Sequence, residues 1–467
     1  MRSPPIGLVL AALYVAEAAL LVCGVALHKT SDAPFLALLA SRDGAIFAAA
    51  LLGGLAAAAI VVRAGLRTRG EGTRWFGMTV AMNAVTVILA LALGEAAARL
   101  LSTSTPDGRT AVAGVPLLPY DWDAVRARNR ELLRNAPNNI SYFVPDGLLG
   151  WTVGPGRVSK NGLYASSAEG IRSADPGVSY AKEEKPKRRI AVVGDSYSFG
   201  LEVPFADSWA HRLERALGPG TQVLNFGVDA YGVDQAYLRY MRDARPWKPD
   251  LVIFGFINHD LYRSMAVYAF VSFPEWGLPF GKPRFVVENG KLELLNTPVL
   301  PPEQILQRAS VLDLPFVRLD RGYQPRDWRW HAVYASRLAR LVLSRFEPAP
   351  VPGAQASDAA LAEVNAALFA SFVETAKKEG SIPYLVYFPS RGDFSGQNRL
   401  AKDGILEMFG ERHIDHDNLT GCIAKLGEPA AFIAGRPHYS PAGNAAVAAC
   451  LEPAVRRLLG PPSFQRH

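Results

Sequence analysis

The chain has 467 residues, of which 49% are hydrophobic and 20% charged, and its formal net charge is +7. This apolar content and small net charge exclude a mainly disordered chain, and three cysteines are too few for a disulfide-stapled miniprotein. The first 100 residues carry eight Lys and Arg against five Asp and Glu, whereas the rest carries 42 against 38. The charge balance of residues 101–467 is ordinary for a globular domain. The sequence has no long basic stretch interleaved with aromatic residues, so we do not expect nucleic-acid binding.

Three apolar runs open the chain, at about 6–27, 45–63 and 76–98. Each is close to the ~20 residues that a helix needs to cross a bilayer. The first run lacks a clear signal-peptide cleavage site and is followed by two more runs, so we interpret all three as transmembrane helices. The loop between the second and third runs has four arginines and one glutamate, which favours the cytoplasm. The sequence therefore predicts a multi-pass inner-membrane protein whose residues after about 101 are periplasmic.

Two carboxylates lie within these runs. Glu17 is in the middle of the first, where contact with lipid is costly, so we expect it to face another helix, with Asn83 as a candidate partner. A functional relay through Glu17 is the alternative. Glu95 is four residues before Arg99, a spacing that predicts an ion pair on one helix.

The remainder is predicted to consist of a stalk and extended lead-in at 101–185 and an α/β domain at 186–467. Short apolar runs predict buried strands, and helical patterns separate them, which indicates a three-layer, flavodoxin-like parallel sheet. A hairpin pattern around Asn289-Gly290 indicates an insertion at about 262–345. The predicted strands are 189–194, 221–227, 250–257 and 382–388, with 430–435 as a candidate fifth.

Candidate catalytic residues follow these strands. Ligands of open α/β sheets bind beyond the carboxyl ends of the strands. Ser196 directly follows the first strand, and a serine hydroxyl needs a base before it can act as a nucleophile. His438 follows the candidate fifth strand and precedes the last helix, which predicts that it lies at the same edge of the sheet as Ser196.

Four segments, in this order, resemble the signatures of SGNH/GDSL hydrolases. The resemblance covers roughly residues 185–460, and each segment follows a predicted strand. The segments are RIAVVGDSYSFGLEVPFADSWAHRLERAL, NFGVDAYGVDQ, GFINHD and PHYSPAGN.

The resemblance implies a role for each matched residue. Ser196 would be the nucleophile, and His438 the general base and later the general acid. The N–H groups of Ser196 and Gly227, with the side chain of Asn258, would form the oxyanion hole. Asp195 and His259 are candidate supporting residues, and a hydrogen-bonded residue of the site wall is the favoured alternative for His259. The family pattern implies no cofactor.

The acid that should orient the imidazole is missing from its usual place. The family has an aspartate two or three residues before the histidine, where this chain has Arg436 and Gly435. Either a backbone carbonyl holds His438 in a Ser–His dyad, or an acid elsewhere, such as Asp415 or Asp417, replaces it. A weakened or inactive enzyme is the third reading.

Two further residue pairs call for an interpretation. His413 and His416 have a metal-like spacing without a third ligand, so we expect a solvated loop and no metal site. Cys422 and Cys450 are either bridged, as an oxidising compartment would permit, or free and buried.

These features lead to one main hypothesis and two alternatives. The main hypothesis is a membrane-anchored esterase that removes an O-acyl group, with O-acetyl as the expected case, from a cell-surface glycan or lipid. An O-acyltransferase would use the same Ser-His site with a sugar acceptor and would need a membrane partner as acyl donor. A catalytically inactive glycan-binding module is the third hypothesis.

Overall fold

The computed structural model describes residues 12–19, 52–53, 55–57, 59–61, 63, 71–105, 109–135, 142–182, 186, 188–345, 356–395 and 400–460. The chain divides into two compact units. One comprises 1–125 and 324–351, and the other comprises 126–323 and 352–467. The predicted stalk and lead-in is therefore shared between them.

The first unit contains the helix Glu71–Leu100, which includes the third predicted span. Its segment Arg74–Leu100 is long and apolar enough to cross a membrane. Residues 12–19 are also helical, and the side-chain amide of Asn83 donates to Glu17 at 2.9 Å, as the cost of a lipid-facing carboxylate predicts. Most of the first two predicted spans lies outside the described residues, so three spans stay a prediction.

Glu95 makes more contacts than the predicted pair. It accepts a 2.6 Å hydrogen bond from Arg99, but it also accepts from the hydroxyl of Ser336 at 2.8 Å and the N–H of Leu338 at 2.9 Å. It thereby caps the start of the helix Arg337–Arg345. This unit also contains the strands Ser102–Ser104, Thr110–Val112 and Val115–Pro116 and the start of the helix Trp122–Asn135.

A five-stranded parallel sheet forms the second unit. Its strands, in chain order, are β1 (Arg188–Val193), β2 (Thr221–Asn225), β3 (Leu251–Phe256), β4 (Ile382–Tyr387) and β5 (His416–Asn418). Their spatial order is β2-β1-β3-β4-β5, with every pair parallel. This is the flavodoxin-like order, and its topological switch point lies between β1 and β3.

Both faces of the sheet are covered, which confirms the predicted α/β layering. Along β1, Ala191 and Val193 pack into one apolar cluster, while Ile190 and Val192 pack into the other. Successive side chains of a strand point to opposite faces, so the apolar run of β1 serves two cores. The helices are Ser196–Phe199, Trp209–Leu217, Val233–Arg239, Asn258–Arg263, Ala269–Ser272, Pro302–Ile305, Asp358–Lys378, Arg391–Phe394, Leu400–Glu411, Thr420–Ala424, Glu428–Ala431 and Pro441–Leu459.

One helix of this unit, Asp358–Lys378, also has the length and composition of a membrane span. Leu368, Phe369 and Phe372 on this helix are fully buried in the first of the two cores. We therefore interpret it as a core helix of the α/β unit.

The fifth strand differs from the prediction. The segment 430–435 contains the end of the helix Glu428–Ala431, and Phe432 makes only an isolated bridge to Tyr439. The edge strand is instead His416–Asn418, which pairs with β4 in the segment expected to be a solvated loop. An edge strand of three partly exposed residues has no apolar run, so hydrophobic periodicity gave no signal for it.

The lead-in is folded onto the sheet rather than extended. It forms the hairpin Phe143–Asp146/Gly150–Val153 and the short pair Ala165–Ser166/Arg172–Ser173. Trp151 is 1% exposed and belongs to the same core as Ala191 and Val193 of β1. The predicted hairpin of the insertion is confirmed as Arg284–Glu288 and Lys291–Leu295.

The structure joins Cys422 and Cys450 by a disulfide that closes a loop across 28 residues. Replacing both cysteines with serine should lower the free energy of unfolding by about 3.5 kcal/mol, because the unfolded chain gains loop entropy. Urea unfolding of the purified chain would measure this loss. Dithiothreitol should lower the midpoint of the natural chain and leave the double variant unchanged; equal midpoints for the natural chain with and without reductant would contradict the expectation.

Candidate active site

Ser196 lies at the first turn after β1. Gly194 has φ +148°, and a Cβ there would come within 2.1 Å of the Ser198 hydroxyl and 2.4 Å of the Gly255 carbonyl oxygen. Asp195 caps the short helix by accepting the N–H groups of Tyr197 at 2.9 Å and Ser198 at 3.3 Å. Glycine is thus required at the turn, and the cap fixes the helix that begins with Ser196.

His438 meets Ser196 as the signatures predict. The hydroxyl of Ser196 donates to Nε2 of His438 at 2.9 Å. The phenol of Tyr197 donates to the carbonyl of Pro437 at 2.7 Å, and its ring packs 5.3 Å from the imidazole. The residue after the serine therefore helps to hold the histidine in place.

The acid beside His438 is Glu202, which the sequence interpretation missed. Nδ1 of His438 donates to Oε2 of Glu202 at 3.1 Å. Neither candidate from the sequence contacts the imidazole: Asp417 accepts the phenol of Tyr384, and the carbonyl of Asp415 pairs with β4. The only sequence signal for Glu202 was a single charge in the apolar segment SFGLEVPF of the first signature.

A left-handed backbone conformation directs Glu202 at the histidine. Its φ is +67°, unusual for a residue with a side chain, and such strain concentrates at functional sites. Gly200, also left-handed at φ +73°, ends the short helix and turns the chain back. Burial raises the pKa of Glu202, but the hydrogen bond and charge of His438, with Arg436 3.8 Å away, outweigh it and hold that pKa below its usual value. Glu202 is therefore an anion at neutral pH.

A buried arginine from the lead-in holds this loop. The guanidinium of Arg172 donates to the carbonyls of Phe199, of Gly200 at 2.5 Å and of Val203 at 2.6 Å. It also lies 4.2 Å over the ring of Phe199. Burial lowers the pKa of Arg172 to about 10, so it stays charged at neutral pH. Arg172 thereby fixes the backbone on both sides of Glu202.

The expected oxyanion donor Gly227 does not face the site. Its N–H donates to the side chain of Asn225 at 2.9 Å. A Cβ on Gly227 would lie 2.6 Å from the backbone nitrogen of Phe199, so this glycine permits close packing behind the nucleophile helix. The N–H that was expected to serve the oxyanion therefore already has a partner within the chain.

Three other donors are available at the carboxyl ends of β1, β2 and β3. No hydrogen bond of the described residues uses the N–H of Ser196 or that of Ala230, which has φ +63°. Asn258, directly after β3, is 6% exposed and accepts from the N–H of Lys402 at 3.2 Å through its oxygen. Within the described part of the chain its amide nitrogen has no acceptor, so it can donate to a ligand.

Asp195 belongs to a buried charge cluster under the nucleophile. Arg263 contacts Asp195 at 3.3 Å and Asp260 at 2.6 Å, and all three side chains are almost fully buried. Burial raises the pKa of both carboxyls, and their proximity raises that of Asp260 further. The predicted supporting residue His259 contacts neither Ser196 nor His438 through any hydrogen bond of the described residues; desolvation and Arg263 lower its pKa.

Arg263→Met tests this cluster through stability. Removing this cation from between two buried carboxylates should lower the free energy of unfolding by about 3–5 kcal/mol at pH 8. Because the folded-state pKa values of Asp195 and Asp260 lie above their unfolded values, the folded state takes up protons as the pH falls. The loss should therefore be smaller at pH 5 than at pH 8, as measured by denaturant unfolding.

The matched control for that variant is Arg212→Met. Arg212 pairs with Asp207 at 2.6 Å, but both side chains are about one-third exposed. An exposed pair contributes about 0–1 kcal/mol. Equal losses for Arg212→Met and Arg263→Met would contradict the expectation.

Solved structures with similarity to this chain carry names of lipolytic or ester-cleaving proteins. A putative lipolytic protein of the G-D-S-L family from Desulfitobacterium hafniense is 13% identical over 58% of this chain and 98% of its own, with a TM-score of 0.32. A lipase/acylhydrolase from Enterococcus faecalis is 12% identical over 59% and 98%, with a TM-score of 0.31. A catalytic mutant of an acetylxylan esterase from Geobacillus stearothermophilus is 16% identical over 59% and 96%, with a TM-score of 0.30. No protein-family model and no curated protein matches the chain.

Proposed function

We propose that this chain is a membrane-anchored serine esterase of the SGNH type that removes an O-acyl group from a cell-surface glycan or lipid. The observation that carries the proposal is the chain of hydrogen bonds from Ser196 through His438 to Glu202, at 2.9 and 3.1 Å. A nucleophile, a base and an orienting anion in this geometry constitute a catalytic triad. O-acetyl is the expected acyl group.

The proposed reaction proceeds through an acyl-serine. Nε2 of His438 takes the proton of Ser196 as Oγ attacks the ester carbonyl, and Glu202 stabilises the imidazolium that forms. The N–H groups of Ser196 and Ala230 and the amide of Asn258 then donate to the tetrahedral oxyanion. His438 returns its proton to the leaving alcohol. Water attacks the acyl-serine in the second half, and His438 takes the proton of that water. The bond between the acyl group and Oγ of Ser196 then breaks as His438 returns the proton to Oγ, and the carboxylic acid leaves.

A fluorophosphonate probe tests this proposal directly. It phosphonylates an activated serine, so the purified chain should be labelled and Ser196→Ala should not. No label on the natural chain would overturn the catalytic proposal and favour the inactive glycan-binding module. Equal labelling of both would show that another serine reacts.

A second assay separates hydrolysis from acyl transfer. An esterase releases acetate from p-nitrophenyl acetate at a rate that a glycan acceptor leaves unchanged. Acetylated glycan accumulating at the expense of free acetate would instead identify the O-acyltransferase, for which a membrane acyl donor would then be required.

We also propose that the chain is anchored in the inner membrane by several helices, with the catalytic unit in the periplasm. The apolar helix Arg74–Leu100 and the arginine-rich loop before it support this orientation. The helix Arg337–Arg345 gives further support, because its Leu338 packs against Gly94 of the apolar helix. A Cβ built on Gly94 would lie 2.9 Å from a methyl carbon of Leu338. Nearby in sequence, Trp330 is 61% exposed, as an aromatic residue of a membrane interface would be. An alkaline phosphatase fusion at residue 110 should be active; an inactive fusion would reverse the orientation.

A further inference from the structure

A pocket of about 430 Å³ opens next to the proposed oxyanion donor Asn258. Pockets that bind small ligands begin at about 300 Å³. This one is formed by the helix that follows β3 and by the insertion that the hairpin marked. Its lining includes Asn258, His259, Tyr262, Ser272, Phe273 and Arg321.

One wall is a rigid aromatic stack connected to the nucleophile. The rings of Phe273 and Trp276 stack with centroids 4.3 Å apart and planes 9° from parallel. The guanidinium of Arg263 lies 4.5 Å from the centroid of Trp276, and Arg263 also contacts Asp195 beside Ser196. Phe273 therefore lines the pocket with a ring that packing already holds in place.

The second wall carries the positive charge of Arg321, which is already paired with a carboxylate. Arg321 lies 5.6 Å over the ring of Tyr262 and donates to the carboxylate of Asp358 at 2.6 Å and the carbonyl of Ala356 at 2.5 Å. A cation paired in this way attracts an anionic ligand weakly, so the pocket favours an uncharged one.

The rest of the lining consists of uncharged polar groups. Desolvation and the charge of Arg263 lower the pKa of His259, which leaves a neutral imidazole with one donor and one acceptor. The amide nitrogen of Asn258 is free among the described residues, and Ser272 donates to Asp320 at 2.5 Å. Aromatic faces beside fixed donors and acceptors suit the C–H faces and hydroxyls of a sugar.

We propose that this pocket binds the sugar rings of an uncharged acylated saccharide and directs its ester to Ser196. The proposal rests on the esterase function proposed above and selects a glycan over a lipid as the substrate. Phe273 and Tyr262 are the residues that would determine this specificity.

The test compares two esters on the full-length, detergent-solubilised chain. Phe273→Ala and Tyr262→Ala should each lower kcat/KM for fully acetylated xylobiose about 2- to 13-fold more than for p-nitrophenyl acetate, chiefly through KM, because an aromatic contact contributes about 0.5–1.5 kcal/mol. The matched control is Trp330→Ala, which removes an exposed aromatic side chain that does not line this pocket and should leave both values unchanged.

Three results would overturn the sugar site. The two esters could lose activity equally in the Phe273 and Tyr262 variants, which would indicate a purely structural role. The variants could instead affect p-nitrophenyl palmitate most, which would identify an acyl-chain pocket. Equal effects from Trp330→Ala would also overturn the proposal, because the selective loss on the sugar ester would then not depend on the residues that line the pocket. A natural chain inactive on both acetyl esters and unlabelled by fluorophosphonate would instead refute the esterase function itself.

Discussion

Ser196→Ala is expected to lower the turnover of p-nitrophenyl acetate by about 10⁴- to 10⁶-fold, the largest effect of any single substitution. The variant keeps the base and the oxyanion donors but loses the atom that forms the acyl intermediate. Residual hydrolysis by water in the site sets the upper limit of the loss. Steady-state kinetics of the purified natural and variant chains would measure this loss. The concentration of active natural enzyme is determined from the fraction that the fluorophosphonate probe labels, and the variant is assayed at the same concentration.

The chain offers a closely matched control in Ser198→Ala. Ser198 is in the same short helix, two residues from Ser196, and its buried hydroxyl has no hydrogen-bond partner among the described residues. Deleting that hydroxyl should therefore change turnover by less than about threefold, since no contact is lost. If Ser198→Ala were inactive and Ser196→Ala active, the nucleophile would be assigned to the wrong serine.

The buried strands and the Ser196–His438 pair were predictable because their signals are local. Four predicted strands agree with β1 to β4 within one or two residues, since a strand buried on both faces is a short apolar run between polar turns. The pair follows from the rule that parallel strands end at one edge, combined with the order of the signatures.

Glu202 and Ala230 were not predictable in the same way, because backbone turns determine where they point. Glu202 reaches His438 only through left-handed conformations at Gly200 and at itself. Those conformations are supported by Arg172, which is nearly thirty positions earlier in the chain. In the segment NFGVDAYG, the N–H of Gly227 donates to Asn225, whereas the N–H of Ala230 has no acceptor among the described residues. This difference depends on the backbone conformation of the turn, which the sequence pattern does not reveal.

Glu202→Gln is the substitution with the second-largest expected effect on activity, and kcat should fall by about 10²- to 10⁴-fold. Glutamine keeps the shape of the side chain but removes the charge that stabilises the imidazolium, and its amide can hold the histidine in the wrong tautomer. A dyad in which a backbone carbonyl orients the imidazole predicts almost no loss. Glu202→Asp should recover part of the activity, because the anion remains but its shorter side chain lengthens the 3.1 Å contact.

The appropriate control is Asp207→Asn, five residues further along the same loop. Asp207 pairs with Arg212 at 2.6 Å and makes no contact with His438, so its loss should change kcat by less than about threefold. Fluorophosphonate labelling rates give a second readout, since Glu202→Gln should slow labelling while Ser196 remains present. Normal kcat and normal labelling in Glu202→Gln would remove Glu202 from the triad and leave the Ser–His dyad as the catalytic unit. Because the pKa of Glu202 is held below its usual value, the anion that this mechanism needs should persist into mildly acidic solution and be lost only as the pH falls through that lowered pKa.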